Sequence, residues 1–404
     1  MTGRYAVRTG NASVPIDTPV YGLTQWEYTL PKMLSDVGYA TGAFGKWHLG
    51  HTEGRFPTDM GFDEWYGIPN STDEAFWPES PYYRPDSDPF ARPEYLMEST
   101  KGKTPKKLKV YDLAHRPVMD RELTDKAKDF ITRQAKAGKP FFAFIPYTMV
   151  HIPILPSPEF DGKTKNGAWA DSLAQLDFYT GEFLDLFDKL GITDNTIFIF
   201  TSDNGGVLRN GANNGPWRGE KGQVYEGGLR VPFVARHPGL IPAGVQPNGI
   251  GSFLDLMPTL ARLTGSPTPV PRSDGVDIWP LFTGEAVEVE RDPLLYFDGL
   301  NLQCARSGRW KLHLTRYNCY PWVPDPPGGK LNLPLPRPEL YDLENDPEES
   351  SDVAEDNPDV VAQIRSRVEE MLLAFPDDVR SAWRGTMSLP VEDTESGALP
   401  VLRR

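Results

Sequence analysis

The sequence predicts an α/β fold: a large, mainly parallel or mixed sheet with helices on both faces, followed by a small C-terminal α+β region with an antiparallel sheet. Over residues 1–290, short apolar segments alternate with segments of helical period, the pattern typical of parallel sheets covered by helices. After about Asp292, short strand-like segments follow one another with turns between them, which indicates an antiparallel sheet. We therefore expect one domain over residues 1–290 and a second over residues 291–404.

In the first region, helix and strand signals alternate in a regular order. The T-Q-W-E sequence at 24–27 fits a capping box, and apolar residues at helical spacing follow it up to Gly38. In chain order, the remaining predicted elements are a strand over 39–44, a helix over 120–137, a buried strand over 140–146, a helix over 173–190, a buried strand over 196–201, a strand over 231–235 and a helix over 253–263.

The second region has shorter elements, and two segments lack a clear pattern. Strands are predicted over 294–297, 303–306, 310–314 and 339–343, with a closing helix over 360–373. Residues 76–93 are dense in proline, aromatic and charged side chains and are interpreted as a surface insertion. Residues 52–67 read as a loop, and the tail from Asp377 shows little periodicity.

Composition excludes some classes of protein. The chain has 404 residues, 39% of them hydrophobic, and a net charge of −14, which argues against a nucleic-acid-binding surface. No apolar run reaches transmembrane length, so no membrane span is expected. Cys304 and Cys319 are too few for a disulfide framework, although one bridge between them stays open. Oligomeric state and compartment, whether periplasmic, secreted or cytoplasmic, also stay open.

Residues able to carry chemistry stand at the carboxyl ends of three predicted strands. Lys46 and His48 follow the first strand, His151 follows the second, and Asp203 and Asn204 follow the third. Open α/β sheets bind ligands beyond the carboxyl ends of their strands, so these residues form the candidate site. Residues two apart on an extended segment share a face, so Lys46 and His48 are expected to point the same way.

The residue types suit an anionic substrate held beside a cation. Asp203 and Asn204 offer only oxygen donors, which hard divalent cations prefer, and Lys221 lies in a glycine-rich loop suited to clamping an anion. Imidazoles move protons, and ammonium groups neutralise a transferring group. Taken singly, D-N-G-G is most often a turn and a lone histidine is most often structural, but five such residues at strand ends are harder to explain in that way.

At these positions the sequence resembles the sulfatase family. The matching segments are 38–50 (G-Y-A-T-G-A-F-G-K-W-H-L-G), 151–153 (H-I-P), 201–205 (T-S-D-N-G), 219–222 with 225–232 (G-E-K-G and Y-E-G-G-L-R-V-P) and 340–347 (L-Y-D-L-E-N-D-P). They resemble, in turn, the second sulfatase motif, the substrate histidine, the calcium segment, the second lysine loop and the C-terminal closing segment. The resemblance covers essentially the whole chain.

The resemblance implies an arylsulfatase-type hydrolase of the alkaline phosphatase superfamily. Such an enzyme cleaves a sulfate monoester, of a small molecule or a glycan, into an alcohol or phenol and sulfate through a formylglycine nucleophile. By resemblance, Asp203 and Asn204 ligate calcium, and His48 contacts the nucleophile and acts as a base. Lys46, His151 and Lys221 would hold sulfate oxygens or assist the leaving group. Either His151 or Lys221 would protonate that leaving group.

The sequence departs from the family pattern at the nucleophile. Sulfatases make formylglycine in a C/S-x-P/A-x-R motif, and M-T-G-R at residues 1–4 resembles the segment that follows it. Neither Cys304 nor Cys319 stands in a matching context. We therefore expect the nucleophile, its arginine partner and two acidic metal ligands to precede Met1, and the chain as written to bind calcium weakly and hydrolyse sulfate esters poorly or not at all. An in-frame C-x-P-S-R sequence upstream would confirm this expectation.

Two alternative functions stay open. One is a phosphonate or phosphodiester hydrolase of the same superfamily, which a comparison of sulfate and phosphate esters would distinguish. Two-zinc phosphatases favour histidine-rich ligand sets, whereas Asp203 is followed by Asn204. The other is a non-catalytic remnant that acts as a binding protein. Asn213, Asn214, Trp217 and the insertion at 76–93 are further candidates for lining the pocket.

Overall fold

The computed structural model describes residues 1–14, 21–73, 94–266, 273–321, 323–392 and 399–402. The chain forms two compact units. Unit 1 comprises Met1–Phe198, Arg236–Pro247 and Gly251–Val287, and unit 2 comprises Ile199–Ala235, Asn248–Ile250 and Glu288–Arg404. The segment Ile199–Ala235 groups with the C-terminal region, which the sequence did not indicate. The division into domains at residue 290 stays a prediction.

Unit 1 is built on a five-stranded mixed sheet with the strand order β4-β3-β2-β1-β5. Its strands are β1 (Ala40–Lys46), β2 (Glu64–Ile68), β3 (Tyr95–Thr100), β4 (Lys106–Val110) and β5 (Phe141–Phe144). The central strand β1 pairs in parallel with both β2 and β5, whereas β2 with β3 and β3 with β4 are antiparallel. The predicted mixed α/β fold is confirmed. The loop predicted over 52–67 is wrong at its end, where β2 begins.

The helices of the described residues cover the sheet of unit 1 and flank that of unit 2. They are α1 (Leu30–Asp36), α2 (Arg116–Lys136), α3 (Ala168–Leu190), α4 (Glu226–Leu229), α5 (Phe253–Thr264), α6 (Trp279–Thr283), α7 (Pro358–Leu372) and α8 (Asp377–Met387). The core of unit 1 forms where the apolar face of α2, including Leu123 and Phe130, packs with Phe44 of β1 and Phe183 of α3. Helical spacing of apolar residues thus locates α2 and α3, although α2 begins four residues and α3 five residues before the predicted start.

The predicted start of α1 is wrong. Its N-cap is Thr29, whose hydroxyl accepts a hydrogen bond from the Lys32 backbone N–H. Pro31 occupies the first turn, where its missing N–H costs nothing. In the predicted capping box, the N–H of Glu27 bonds instead to the carbonyl of Thr24 in a turn, so the chain becomes helical one turn later than the motif suggests.

Two strands predicted to be buried are only half-buried. They are β5 and β6 (Phe198–Thr201). The first stands at the end of the five-stranded order, and the second pairs with β7 (Phe233–Arg236) in a two-stranded sheet. A strand with a neighbour on one side only is less covered than a central strand, which accounts for the difference.

Unit 2 contains a four-stranded antiparallel sheet with the order β11-β10-β9-β8, as predicted. The strands are β8 (Leu294–Asp298), β9 (Asn301–Ser307), β10 (Trp310–Tyr317) and β11 (Asn332–Asp342). Helix α7 confirms the predicted closing helix, but α8 was missed because its exposed faces are strongly polar and only Val379 and Thr386 are buried. The insertion predicted at 76–93 lies outside the described residues. Across the described chain, no helix has both the length and the hydropathy to cross a bilayer.

Candidate functional site

Three of the six predicted site residues lie in unit 1, at or just beyond the carboxyl ends of its parallel strands. Lys46 is the last residue of β1, and its backbone N–H donates to the carbonyl oxygen of Pro146, just past β5, at 2.9 Å. Gly45 permits this approach, because a Cβ there would lie 2.0 Å from the same oxygen. The chain after β1 and the chain after β5 are therefore locked together by backbone contacts.

His48 does not continue the strand, so the expectation that it shares a face with Lys46 is not supported. Its φ is +55°, a left-handed conformation that is uncommon for residues other than glycine. The alternation of side chains applies only to extended backbone, and β1 ends at Lys46. The N–H of His48 donates to the carbonyl of Pro69, beyond β2, at 2.9 Å, which fixes the residue beside the next strand end.

The loop that carries His151 is held by a buried ion pair from α2. The guanidinium of Arg116, 1% exposed, donates to the carbonyl oxygens of Thr148 and His151, each at 3.2 Å. Asp120 accepts from the backbone N–H of Thr148 at 2.8 Å and from its hydroxyl at 2.6 Å, and it pairs with Arg116 at 3.1 Å. The backbone around His151 is therefore fixed by two charged side chains that the sequence did not single out.

The Nδ1 edge of the His151 ring faces two acceptors. Nδ1 lies 3.2 Å from the carbonyl oxygen of Ile152 and 3.5 Å from a carboxylate oxygen of Asp73. The hydroxyl of Thr72, 3.3 Å from Nδ1, donates to the same Ile152 carbonyl at 2.6 Å. A carbonyl and a carboxylate both call for a proton on Nδ1, so Nε2 is the atom that would exchange a proton with a substrate.

Sequence reasoning missed Asp73. The signal was present, because the polar run Asn70-Ser71-Thr72-Asp73 follows directly on the apolar end of β2, as His151 follows β5. The sequence predicts a loop where β2 lies, and polar residues within a predicted loop cannot be assigned to the end of a strand. With β2 placed in the sheet, three adjacent strand ends supply Lys46, His151 and Asp73.

The other three predicted residues lie in unit 2, on two loops in direct contact. Asp203 and Asn204 follow β6, and the next N–H, that of Gly205, donates to the carbonyl of Gly228 at 3.0 Å. A Cβ on Gly205 would lie 1.8 Å from the carbonyl oxygen of Gly227, so only glycine allows this approach. The structure thus brings Asp203, Asn204 and the loop of Lys221 together.

Asn214 fastens the same two loops. Its side-chain amide donates to the carbonyls of Gly206 and Gly219, each at 3.0 Å, and its oxygen accepts from the N–H of Gly206 at 2.9 Å. Asn214 was considered as a pocket residue on sequence grounds. Its amide instead bridges the end of the Asp203 segment to the start of the Lys221 loop, so its contacts within the fold account for it.

Asp203 and Asn204 supply two of the ligands that a divalent cation would need. Members of the sulfatase family generally bind a divalent metal, and the oxygens of Asp203 and Asn204 match a hard cation. However, the described residues contain no group of three or more histidine, cysteine, aspartate or glutamate side chains placed to hold a metal ion. Two donors fall short of the roughly six to eight that calcium takes, so Asp203 and Asn204 alone do not complete a calcium site.

Neither cysteine is placed as a nucleophile. Both thiols are free, so the bridge left open by the sequence is not formed. Cys304 is fully buried in β9, and burial raises the pKa of its thiol to about 12. Because the thiolate is the reactive form, Cys304 is inert at neutral pH. Cys319 is half-buried just after β10.

Comparison with known proteins identifies the family. The family described as Sulfatase matches residues 1–266, and the C-terminal region of aryl-sulfatase matches residues 289–384. N-acetylgalactosamine-6-sulfatase of Canis lupus familiaris is 35% identical over 327 residues, which cover 78% of this chain and 60% of the relative. Arylsulfatase A of Bos taurus is 31% identical over 395 residues, covering 92% of this chain and 76% of the relative.

A solved structure agrees with both relatives. The crystal structure of the PsFucS1 sulfatase from Pseudoalteromonas sp. superimposes with a TM-score of 0.83 at 27% identity, over 93% of this chain and 79% of that one. The chain spans 60% of the length of the canine relative, which is less than two thirds. The matched segments include both lysines, both histidines and the Asp203–Asn204 pair of the candidate site. On these grounds the chain belongs to the sulfatase family.

Proposed function

We propose that this protein is a sulfuric ester hydrolase that binds and cleaves a sulfate monoester. The observation that carries the proposal is the placement of Lys46 and His151 at adjacent ends of parallel strands in a chain of the sulfatase family. Ammonium groups bind the oxygens of an anionic ester, and an imidazole beside them supplies the proton that the departing alcohol needs. We propose Lys46, His48, His151 and Lys221 as residues that bind the sulfate ester and assist its cleavage.

Among these residues we assign the proton donor to His151. Asp73 and the Ile152 carbonyl face Nδ1, which leaves Nε2 as the ring nitrogen that would donate a proton to the departing alcohol. Lys221 and Lys46 then hold sulfate oxygens, and His48 exchanges a proton with the nucleophile. The sequence motifs leave open whether His151 or Lys221 protonates the leaving group, and this assignment favours His151. Replacement of His151 by Ala should slow esters with poor leaving groups more than activated aryl esters, because only the former need the proton.

We propose calcium as the divalent metal, with Asp203 and Asn204 as two of its ligands. Their donor atoms fit a hard cation, and the metal would neutralise charge on the bound ester. Calcium should raise the melting temperature only slightly, because two ligands give weak binding and stabilisation grows with ligand concentration over Kd. Asp203→Ala should abolish that shift. A large shift that survives in the Asp203→Ala variant would place the cation elsewhere.

For the substrate we propose a sulfated sugar. The proposal rests on the name of the canine relative, N-acetylgalactosamine-6-sulfatase, and on the oxygen-rich, charged character of the candidate site. Sulfate release from sulfated mono- and disaccharides, measured by ion chromatography, should exceed release from a steroid sulfate of the same concentration. Equal release from both would contradict a sugar preference.

The test of the function separates the two rival functions. Calorimetric titration with inorganic sulfate, against chloride at matched ionic strength, should show binding that Lys46→Ala and Lys221→Ala both weaken. Matched aryl sulfate, aryl phosphate and aryl phosphonate esters then distinguish the reactions. Faster cleavage of the phosphorus esters would favour a phosphonate or phosphodiester hydrolase. In a form of the protein that carries the formylglycine motif, sulfate binding with no turnover of any ester would favour a binding protein.

A further inference from the structure

A largely buried ion cluster contacts the loop that carries Lys221. Glu226 opens α4, and its carboxylate accepts from Lys311 of β10 at 2.9 Å and from Arg306 of β9 at 3.1 Å. Glu349, in the turn after β11, lies 3.1 Å from Lys311 and 2.9 Å from Nε2 of His313. The side chains of Glu349, Lys311 and His313 are 0% exposed, and that of Glu226 is 2% exposed. All of these residues belong to unit 2.

Glu349 grips the lysine loop at both ends. Its side-chain carboxylate accepts from the backbone N–H of Glu226 at 2.5 Å, and its backbone carbonyl accepts from the guanidinium of Arg218 at 3.0 Å. Lys221 lies between these two attachment points. Glu349 itself has a φ of +52°, an unfavourable backbone conformation for a non-glycine residue. Such strain persists only where surrounding contacts over-determine it.

The Tyr225 ring makes a third attachment. The Arg218 guanidinium lies 4.1 Å from the centre of the ring, and that of Arg316 lies 5.5 Å from it. The ring also packs on the imidazole of His313, with centroids 5.1 Å apart. Arg218 and Tyr225 thus form a cation–π pair within the loop. The end of the loop is also held by Arg316, His313 and Glu349, which all lie more than eighty residues away along the chain.

Stability alone does not explain such a cluster. Two carboxylates and two cations balance in charge, but removing them from water costs several kcal/mol per ion, and apolar replacements of buried pairs are often as stable or more so. A buried ion cluster can instead hold the groups attached to it in one conformation. Here the attached group is the backbone of the Lys221 loop.

We propose that Glu349 is a positioning residue for Lys221: through the buried cluster it fixes the lysine loop so that Lys221 meets the sulfate oxygens. The role of Lys221 in this inference rests on the proposed function. The attachment of the loop 218–228 to Glu349, which we call the clamp, does not. Glu349 lies two residues beyond the L-Y-D-L-E-N-D-P segment at 340–347, which resembles the C-terminal closing segment of the family.

The first test measures the loop directly. In Glu349→Gln, amide hydrogen exchange of the peptides spanning 218–228 should be at least about tenfold faster than in the wild type, because a charged hydrogen bond is lost from a locally opening segment. Glu344→Gln, in the same turn but 59% exposed, is the matched control and should leave this exchange unchanged. Unchanged exchange in Glu349→Gln, or equal acceleration throughout β9 and β10, would overturn the proposal.

A second variant guards against misfolding of the first. Arg218→Gln releases the other end of the loop and leaves no fully buried charge without a partner. It should also accelerate exchange across 218–228. If Glu349→Gln does not fold, the result in Arg218→Gln decides, and protection equal to that of the wild type would overturn the clamp.

The functional part of the inference is read from sulfate affinity. Glu349→Gln should weaken binding of inorganic sulfate about fivefold or more in the wild-type background and leave it unchanged in the Lys221→Ala background, because it acts through that lysine. Equal weakening in both backgrounds would show a general structural effect and would overturn the positioning role. If Lys221→Ala alone does not weaken sulfate binding, the proposed role of Lys221 fails, while the exchange result still decides the clamp.

Discussion

Two loops of the molecule carry candidate site residues, and each is held by a buried carboxylate from another segment. In unit 1, Asp120 holds the backbone at Thr148, in front of His151; in unit 2, Glu349 holds the backbone of Glu226, behind Lys221. Both carboxylates accept a backbone N–H and pair with a buried cation. They differ in origin, because Asp120 and its partner Arg116 are one turn apart on α2, whereas Lys311 and His313, the partners of Glu349, lie on β10, more than thirty residues before it in the chain.

The difference shows what each arrangement requires of the fold. The Arg116–Asp120 pair exists as soon as α2 forms, so its geometry depends on one helix docking on the sheet. The cluster around Glu349 forms only when the register of β10 and β11 is correct and α4 has docked. It also contains a histidine, which the unit 1 pair lacks. The unit 2 loop is therefore expected to be more sensitive to pH and to remote substitutions.

The largest expected effect concerns the helical pair. Asp120→Ala leaves the buried Arg116 without its carboxylate and removes the acceptor of two hydrogen bonds from Thr148, so the free energy of unfolding should fall by roughly 3–5 kcal/mol. Asp125→Ala on the same helix breaks only an exposed pair with Arg121. It should lower the free energy of unfolding by less than about 1 kcal/mol. Urea unfolding of both variants measures the difference. Similar losses would mean that the buried pair is not what holds this loop.

The next effect is acid sensitivity of unit 2. Burial raises the pKa of Glu349, but the hydrogen bond from His313 and the charge of Lys311 outweigh it and lower the pKa to about 2. From an ordinary value near 4.5, at 1.36 kcal/mol per unit, this contributes about 3 kcal/mol that is present above pH 4.5 and lost as the pH falls towards 2.

His313 adds to the same trend at higher pH. Burial lowers its pKa, and its Nδ1 has no hydrogen-bond partner in the described structure, so a second ring proton would be buried without an acceptor. The unfolded chain takes up that proton first, and stability is lost as the pH falls below about 6.5. Urea midpoints between pH 7 and pH 3 should fall, and His313→Gln should flatten the curve between pH 6.5 and 5. If the urea midpoint of the wild type does not change with pH in this range, the expected higher pH sensitivity of unit 2 is wrong.

A smaller effect concerns the two site lysines, Lys46 of unit 1 and Lys221 of unit 2. Lys46→Ala and Lys221→Ala should each weaken sulfate binding by about 1.5–3 kcal/mol, roughly 10- to 150-fold, as for a lost charge-assisted hydrogen bond. Calorimetric titration with inorganic sulfate measures each loss. Lys189→Ala, at the exposed end of α3, is the control and should leave sulfate binding unchanged. Wild-type affinity in either lysine variant would show that this lysine does not bind the anion.

The smallest effect is a stabilisation away from either loop. Gly181 lies within α3, and a Cβ there would meet nothing within 4 Å. Gly181→Ala should therefore raise the free energy of unfolding by about 0.5–1 kcal/mol, because alanine loses less backbone entropy in a helix. Thermal unfolding at neutral pH measures it. The same change at Gly227, where a Cβ would lie 2.3 Å from the Gly219 carbonyl oxygen, should destabilise the protein.

The sequence predicts well whatever local periodicity determines. The spacing of apolar residues places α2 and α3, and short apolar runs place β1 and β5, so Lys46 and His151 could be assigned to strand ends. His48 could not be oriented, because a positive φ is set by the carbonyl of Pro69 beyond another strand. Asp73 was missed because a five-residue strand between turns has too few residues to show a period.

Contacts between remote segments were beyond the reach of the motifs. Glu349 stands in a turn rich in acidic residues, where any carboxylate reads as solvent-exposed, and Lys311 and His313 alternate along a strand with apolar neighbours. Nothing local distinguishes a buried charge from an exposed one there. Its partner becomes visible only when the register of β10 with β11 is known. The half-burial of β5 likewise depends on the order of the strands, which periodicity does not encode.

The contact between Gly205 and Gly227 carries an evolutionary consequence. A methyl group at position 205 would collide with the backbone of residue 227. A change in the sequence or length of one of these two loops would therefore require a compensating change in the other. Among relatives, these two positions should covary as a unit, both glycine or both changed together with a rebuilt loop. Selection on Lys221 would then also be recorded in Gly205 and Gly227, through the packing of the two loops.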